Sequence, residues 1–305
     1  MKILVLLIFT VIFSRTLYSG EVALTFDDAP MGDMEIYSGK ERTQKLIGIL
    51  KNHNIQTVFF SVTNNLGKDD GLERMRQYDR AGHFVANHTH THLDYDNTTV
   101  EDYIKNFDIA HNLLVQFLNF KPWFRYPMLH HGNTVAKRDA MRAHLDKKGY
   151  QNGYVTLDIQ DWFMADLVNK AIGNGKKINK ENLCRAYSEM IWDTMLYYDE
   201  KSIEMLKRSP KHMLLLHEND LAAICLETLI TKITSNGWKI ITPNIAIQDE
   251  IFKARPMTLF NNNGQIAALY HEKNGVRLND PWSFPWEDGK LIREEFDRRR
   301  VFEDK

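Results

Sequence analysis

Two adjacent acids, Asp27 and Asp28, directly follow an apolar run at residues 22–26. Such a run, followed by turn residues, predicts a buried strand with both carboxylates at its carboxyl end. Like charges side by side are costly to bury unless a cation or hydrogen-bond donors compensate them. The pair is therefore either a solvated turn, because Asp-Asp-Ala-Pro is also ordinary loop chemistry, or part of a binding site.

A histidine-rich tract, Asn-His-Thr-His-Thr-His, occupies residues 87–92. Histidines four positions apart share one face of a helical turn, so His88 and His92 can reach one metal ion while His90 points away. In a strand all three histidines would share one face instead. The simpler alternative is a polar loop that happens to be rich in histidine. With Asp28 as third ligand, two imidazoles and one carboxylate leave open positions, as catalytic zinc sites do.

Three further polar clusters also lie where predicted strands end. Arg125 closes the fourth predicted strand, Asp158 and Asp161 follow the fifth, and His217 follows the sixth. Each alone has a simpler explanation, as a surface ion-pair partner, a helix cap or a buried core histidine. Barrel enzymes build their active sites from residues at the carboxyl ends of several strands. The shared position of these clusters therefore predicts a catalytic site.

Short apolar runs alternate with longer amphipathic stretches along the chain. The predicted strands cover residues 22–26, 57–62, 83–86, 123–126, 154–157, 213–216 and 239–241. The predicted helices cover residues 42–53, 71–81, 100–118, 134–148, 181–207 and 222–235. This alternation predicts an α/β fold with parallel strands and helical crossovers, as an open doubly wound sheet or a closed barrel.

Five motifs in a fixed order give the chain a resemblance to a known family. They are Thr25-Phe26-Asp27-Asp28, the run from His88 to His92, Arg125-x-Pro127, Asp158-x-x-Asp161-Trp162 and Leu214-x-x-His217. The set resembles the motifs of the polysaccharide deacetylase family, also called the NodB homology domain or carbohydrate esterase family 4. The resemblance covers roughly residues 20–245. It implies a distorted, incomplete barrel of roughly seven or eight β/α units.

The resemblance also implies roles for the matching residues. Asp28, His88 and His92 would bind a divalent metal, most often Zn²⁺. Asp27 would be the general base that takes a proton from the attacking water. Arg125 would orient Asp27 and hold it ionised.

Further roles concern the leaving group and the acetyl pocket. His217 would protonate the leaving amine as general acid, and Asp161 would pair with it. Trp162 and Leu214 would form the apolar pocket for the acetyl methyl group. The family usually has an aromatic residue and glycine after the motif proline, whereas Met128 and Leu129 follow here. The backbone N–H of Met128 can still donate to the oxyanion, because the donor is main chain.

The activity that this resemblance implies is metal-dependent hydrolysis of N-acetyl groups on N-acetylglucosamine units of peptidoglycan or chitin-like oligosaccharides. An O-acetyl esterase on xylan-type polysaccharide would use the same residues. A non-catalytic carbohydrate-binding protein on this scaffold is a third alternative, against which the intact Asp27 and His217 argue. The net charge of -1 gives no basic field for nucleic acid, and no protein partner is implied.

The two ends of the chain differ from the middle. A lysine, eleven apolar residues and then small residues within 1–19 resemble a signal peptide, so we expect a secreted or periplasmic protein. We expect residues 20–247 to form the deacetylase domain. We interpret residues 248–305 as an extension without regular alternation of strands and helices, packed on the barrel by its aromatic side chains, with a solvated charged end.

Cys184 and Cys225 form either a disulfide or two buried thiols.

Overall fold

The structure is a computed structural model, which describes residues 19–259, 264–278 and 284–303. The predicted signal peptide, up to residue 18, lies outside the described residues. The strands are Glu21–Ala29 (β1), Val58–Ser61 (β2), Phe84–Asn87 (β3), Phe120–Phe124 (β4), Gln151–Asn152 (β5), Lys177–Ile178 (β6), Lys211–His217 (β7), Lys239–Ile240 (β8) and Phe302–Glu303 (β9). The helices are Gly39–Asn52 (α1), Gly71–Arg80 (α2), Val100–Leu114 (α3), Val135–Lys147 (α4), Asp161–Gly173 (α5), Lys180–Leu206 (α6), Asp220–Ser235 (α7), Pro243–Ala246 (α8), Gln265–Asn274 (α9) and Gly289–Arg298 (α10). Among the described residues, no helix combines the length and the apolar character that crossing a membrane requires.

Seven of the strands form one parallel sheet, in the order β5-β4-β3-β2-β1-β7, with β8 also paired to β1. The central strand β1 pairs with β7 along its length, which sets Asp27 opposite His217. On its other side β1 pairs with β2 through Thr25, Phe26 and Ala29. Because parallel strands all point the same way, their carboxyl ends meet at one edge, where the predicted site residues therefore gather.

The sheet curves into a half-barrel that does not close. Beyond the two-residue strand β5, the described chain pairs with β7 through an isolated bridge between Leu157 and Leu214 and adds no further strand on that side of the sheet. This confirms the predicted distorted, incomplete barrel. The predicted strand at 154–157 is wrong, because the extended pairing lies at Gln151–Asn152 and only Leu157 makes a bridge.

The core lies on both faces of the sheet. Consecutive β1 residues Val22, Ala23 and Leu24 are all completely buried, as expected for a parallel strand covered by helices on each side. The long helices α6 and α7 pack against each other, and a disulfide joins Cys184 of α6 to Cys225 of α7 with an S–S distance of 1.98 Å. Of the two alternatives for these cysteines, the structure has the disulfide.

The C-terminal extension is more regular than predicted. It contains the helices α9 and α10, which pack on α6 and on α5 and α6 respectively. Its aromatics do contact the rest of the protein, since the Phe284 ring stacks on Tyr197 at 4.5 Å. The expectation of a wholly solvated charged end is wrong, because Ile292 and Phe296 of α10 are buried. Helix α5, directly after the Asp158 motif, was also not predicted.

A buried ionic cluster anchors the loop that follows β1. The Glu218 carboxylate, one residue after β7, accepts hydrogen bonds from Arg74 Nη2 at 2.8 Å, Tyr78 Oη at 2.9 Å and Met31 N–H at 2.6 Å. Arg42 Nη1 donates to Asp220 at 2.9 Å. Two buried guanidinium groups thus face two buried carboxylates, so the cluster is compensated in charge.

We predict that Glu218→Gln destabilises the protein by about 3–5 kcal/mol, because it leaves a buried guanidinium without its carboxylate. Urea unfolding followed by circular dichroism measures the change. Glu73→Gln is the matched control, since Glu73 pairs with Arg80 on the exposed face of α2 and its loss should cost at most ~1 kcal/mol. Equal unfolding midpoints for the two variants would contradict the role of the cluster.

Candidate active site

Three potential metal ligands converge at the carboxyl ends of β1 and β3. Asp28 lies near the end of β1, His88 directly follows β3, and His92 lies in the next loop. Asp28 Oδ1 is 3.4 Å from His88 Nε2 and 3.2 Å from His92 Nε2. His90, between them, instead places Nδ1 2.9 Å from Thr63 Oγ1. The predicted Asp28, His88 and His92 set is therefore brought together, with His90 excluded.

The donor atoms of this cluster suit a cation. His88 Nδ1 lies 2.8 Å from the carbonyl oxygen of Arg125, which fixes its proton on Nδ1 and leaves the Nε2 lone pair facing Asp28. Asp28 Oδ1 is buried and receives no hydrogen bond from any described residue. Burial raises the pKa of Asp28, but the two imidazoles outweigh it and hold that pKa well below its usual value. An orphaned carboxylate oxygen between two imidazole nitrogens fits a divalent metal.

Asp27 faces a different partner. Arg125 Nη1 donates to Asp27 Oδ1 at 2.6 Å, and both side chains are buried. The guanidinium is held in turn by Thr25 Oγ1 and the Gly153 carbonyl, each at 2.8 Å. Its plane lies over the Phe60 ring, with Cζ 4.0 Å from the centroid. The second oxygen, Asp27 Oδ2, lies 3.7 Å from His88 Nε2 and faces the site.

His217 lies across the strand pair from Asp27 and is oriented by Asp161. Asp161 Oδ1 is 2.7 Å from His217 Nδ1, and Asp161 Oδ2 accepts the His217 backbone N–H at 2.8 Å. Burial lowers the pKa of His217, but Asp161, Asp28 and Asp27 together raise it to about 10. The imidazolium therefore presents its remaining N–H, on Nε2, to the site, where Asp28 Oδ2 is 4.0 Å away.

The backbone around these residues is unusual. Asp28, Thr89, His92 and Met128 all have positive φ, at 66°, 68°, 56° and 56°. Such conformations cost about 1–3 kcal/mol for residues other than glycine, and they cluster at functional sites. The local backbone is thus bent to aim these side chains and amides at a common point.

The ligands, Asp27 and His217 line one cavity of about 440 Å³. Trp162 and Met128 stand at its rim, 51% and 45% exposed, so both predicted substrate contacts are placed at the cavity. Leu214 is not, because it is completely buried and points to the opposite face of β7. Leu215 lines the cavity instead. The period of two along a strand would have identified it, since Leu215 shares a face with His217.

The family resemblance assigned no role to several other lining residues. Leu129, His130, Asp158 and Gln160 also face the cavity. His131, the next residue after His130, is buried. Its buried ring lies 4.1 Å from the Tyr126 ring.

His130 belongs to a second cluster of potential ligands, with Asp94 and Asp96. Its Nδ1 is 2.7 Å from Asp94 Oδ1, an oxygen that also accepts the Asp96 N–H at 2.9 Å. The Asp94 oxygen is thus already satisfied by protein donors. This cluster orients an imidazole at the rim of the cavity, and its Asp96 Oδ1 is, like Asp28 Oδ1, buried without a hydrogen-bond partner among the described residues.

Comparison with known sequences adds to this geometry. Residues 15–150 match the sequence model of the polysaccharide deacetylases. Two peptidoglycan-N-acetylglucosamine deacetylases of Bacillus cereus are similar. One is 30% identical over 115 residues, 38% of this chain and 38% of the relative. The other is 24% identical over 160 residues, 51% of this chain and 68% of the relative. The chain thus matches well under half of the first relative's length.

Solved structures share the fold at low sequence identity. A CE4 family pseudoenzyme from Bacillus anthracis superposes with a TM-score of 0.51 at 16% identity, covering 75% of this chain and 66% of that chain. The peptidoglycan deacetylase PdaC from Bacillus subtilis gives 0.51 at 18% identity, covering 78% of this chain and 93% of that chain. Residues 15–150 therefore match the polysaccharide deacetylases in sequence, and the chain shares the fold of these solved structures over about three quarters of its length.

Proposed function

We propose that the chain is a metal-dependent hydrolase that removes N-acetyl groups from N-acetylglucosamine units of peptidoglycan or chitin-like oligosaccharides and releases acetate. The observation that carries the proposal is the convergence of Asp28, His88 and His92 beside two ion pairs, buried Asp27 with Arg125 and buried Asp161 with the partly exposed His217. The Bacillus cereus relatives are named for this reaction on peptidoglycan. A CE4 family pseudoenzyme has the same fold, and the presence of both Asp27 and His217 in this chain supports the catalytic alternative.

Asp28, His88 and His92 would hold the metal, and two imidazoles with one carboxylate suit Zn²⁺. A divalent ion bound there supplies Lewis acidity, which lowers the pKa of a bound water toward ~7 and polarises a carbonyl. Asp27 Oδ2 takes the proton from the attacking water as the bond from oxygen to the acetyl carbon forms. Arg125 remains on Oδ1 and compensates the charge of Asp27 before that transfer.

His217 completes the reaction at the other side of the amide. Amines are poor leaving groups, so the nitrogen must gain a proton as the carbon–nitrogen bond breaks. His217 Nε2 delivers that proton, while Asp161 holds Nδ1 and stabilises the imidazolium. The products are acetate and a free amine on the sugar. The Met128 N–H is our proposed oxyanion donor, and Leu215 with Trp162 would contact the acetyl methyl group.

We also propose that the protein is exported and works in the periplasm or outside the cell. The Cys184–Cys225 disulfide supports this, because disulfides persist in oxidising compartments. The apolar run within residues 1–19 supports it independently.

The metal site predicts a clear pattern of zinc binding. Asp28→Ala, His88→Ala and His92→Ala should each weaken Zn²⁺ affinity by more than the ~100-fold that loss of an outer partner costs. Equilibrium dialysis with elemental analysis gives affinity and stoichiometry. His90→Ala is the matched control and should keep one Zn²⁺ per chain, because His90 bonds to Thr63 outside the cluster. Tight one-to-one binding in the three ligand variants would refute the assignment.

The base assignment predicts separation of metal binding from turnover. Wild type should release acetate from peptidoglycan or chitin oligomers, while Asp27→Asn keeps its Zn²⁺ and loses about 10²–10⁴-fold in kcat. Acetylated xylan, assayed in parallel, tests the O-acetyl esterase alternative. Near wild-type acetate release by Asp27→Asn would remove Asp27 from the mechanism. No release by wild type from any of the three polymers would favour a binding protein.

The acid assignment predicts the pH dependence. A general acid works only while protonated, so the raised pKa of His217 keeps the reaction active to alkaline pH. Asp161→Asn removes the charge that contributes most to this rise. The pKa of His217 should therefore fall, and the alkaline limb of kcat should move to lower pH by about 1–3 units. An alkaline limb that stays in place in Asp161→Asn, measured with the zinc-loaded protein, would exclude His217 as the acid.

A further inference from the structure

One carboxyl group in the catalytic cavity has no place in the chemistry described above. Asp158 lines the cavity together with Gln160 and Leu215, yet it neither belongs to the metal cluster nor pairs with His217. It lies in the irregular segment that replaces a strand after β5, three residues before Asp161. Its exposed fraction is only 6%, so the carboxyl group is almost entirely enclosed.

Asp158 also lacks a protein partner in the described part of the chain. No hydrogen bond or ion pair joins its carboxyl oxygens to a described residue, although the cavity leaves them accessible. A polar group this buried is costly unless something donates to it or accepts from it. The unsatisfied carboxyl therefore points to a polar group of a bound ligand.

Its surroundings favour the uncharged acid. Burial and the nearby carboxylates of Glu287, Asp161 and Asp27 raise the pKa of Asp158 well above its ordinary value, against the opposing charge of His217. Glu287 comes from the C-terminal extension, where it accepts hydrogen bonds from Tyr198 Oη at 2.8 Å and Gln160 Nε2 at 3.0 Å. A protonated carboxyl group can both donate and accept a hydrogen bond, which matches a hydroxyl group.

The extension also fixes the position of Asp158. Gly264 packs so closely that an added Cβ would lie 3.0 Å from the Val155 carbonyl oxygen and 3.4 Å from Asp158 Cβ. The Gln265 N–H donates to that same carbonyl at 2.6 Å. Residues from beyond the predicted barrel thus hold the segment that carries Asp158.

We propose that Asp158 binds a hydroxyl group of the sugar whose acetamido group is hydrolysed, and so positions that sugar in the cavity. The inference rests on the proposed function. Asp158 shares its segment with Asp161, the partner of His217, and His217 serves the nitrogen that stays on the sugar. Asp158 therefore lies in the same cavity as the group that serves the sugar nitrogen, where a hydroxyl group of that sugar can reach it.

The test compares a glycan with a sugar-free ester. Zinc-loaded wild type, Asp158→Asn and Asp158→Ala are assayed on an N-acetylglucosamine pentamer and on 4-nitrophenyl acetate. We expect kcat/KM of Asp158→Ala to fall about tenfold further on the pentamer than on the ester, mainly through KM, with Asp158→Asn between. Asp166→Asn, an exposed carboxylate of α5 paired with Lys170, is the control.

Binding of the pentamer, measured by calorimetry with zinc-loaded protein, tests the same point without turnover. Asp158→Ala should raise the Kd about tenfold relative to wild type. Equal losses on both substrates, or an unchanged Kd, would overturn the role of Asp158. If wild type binds the pentamer but releases no acetate, the proposed function fails while the Kd comparison still decides on Asp158. Should Asp158→Ala not fold, the same comparisons are made with Asp158→Asn.

Discussion

Asp27 and Asp28 place two negative charges on consecutive residues at the buried end of β1, and each charge is compensated differently. Asp27 has a buried guanidinium, Arg125, at 2.6 Å. Asp28 has only two imidazole nitrogens and an oxygen that no described donor satisfies. A buried ion pair depends on good geometry and on further hydrogen bonds; Thr25 and Gly153 accept from Arg125 Nη1 and Nε, while its buried Nη2 has no partner among the described residues. The same strand end can therefore hold one base and one ligand.

Keeping those two carboxylates apart requires a rigid strand end. The Asp27 carbonyl accepts the Glu218 N–H at 3.1 Å, so the strand pair β1 and β7 continues past the catalytic positions. The Glu218 side chain then joins Arg42 and Arg74 and holds Met31, three residues after Asp28. The ionic cluster lies outside the cavity, yet it sets the path of the loop that leaves the site.

Much of this arrangement could be predicted from the sequence, because acids, histidines and an arginine follow apolar runs in an alternating α/β pattern. The parallel sheet then brings the strand ends together whatever the loop details. The failures have physical causes. Residues 154–157 have the composition of a strand, but the half-barrel opens there and leaves one bridge. Leu214 matches the motif spacing but lies on the face of β7 opposite His217, whereas Leu215 shares the face of His217 and lines the cavity.

Other features depend on tertiary contacts that no local pattern encodes. The burial of His131 between aromatic rings and the approach of Glu287 toward the cavity both join segments distant in sequence. The helices of the C-terminal extension were missed because turn-forming residues dominate the sequence between them. Their packing on α5 and α6 links the extension to the segment that carries Asp161 and Trp162.

The most direct test of the division between the two acids is the anomalous diffraction of a zinc-loaded crystal, recorded on both sides of the zinc absorption edge. We expect a single strong peak of anomalous difference density, bound by Asp28, His88 and His92. Asp27 should still be paired to Arg125 and lie outside the coordination shell. A peak coordinated by Asp27, or one at Asp94, Asp96 and His130 with none at Asp28, would contradict it.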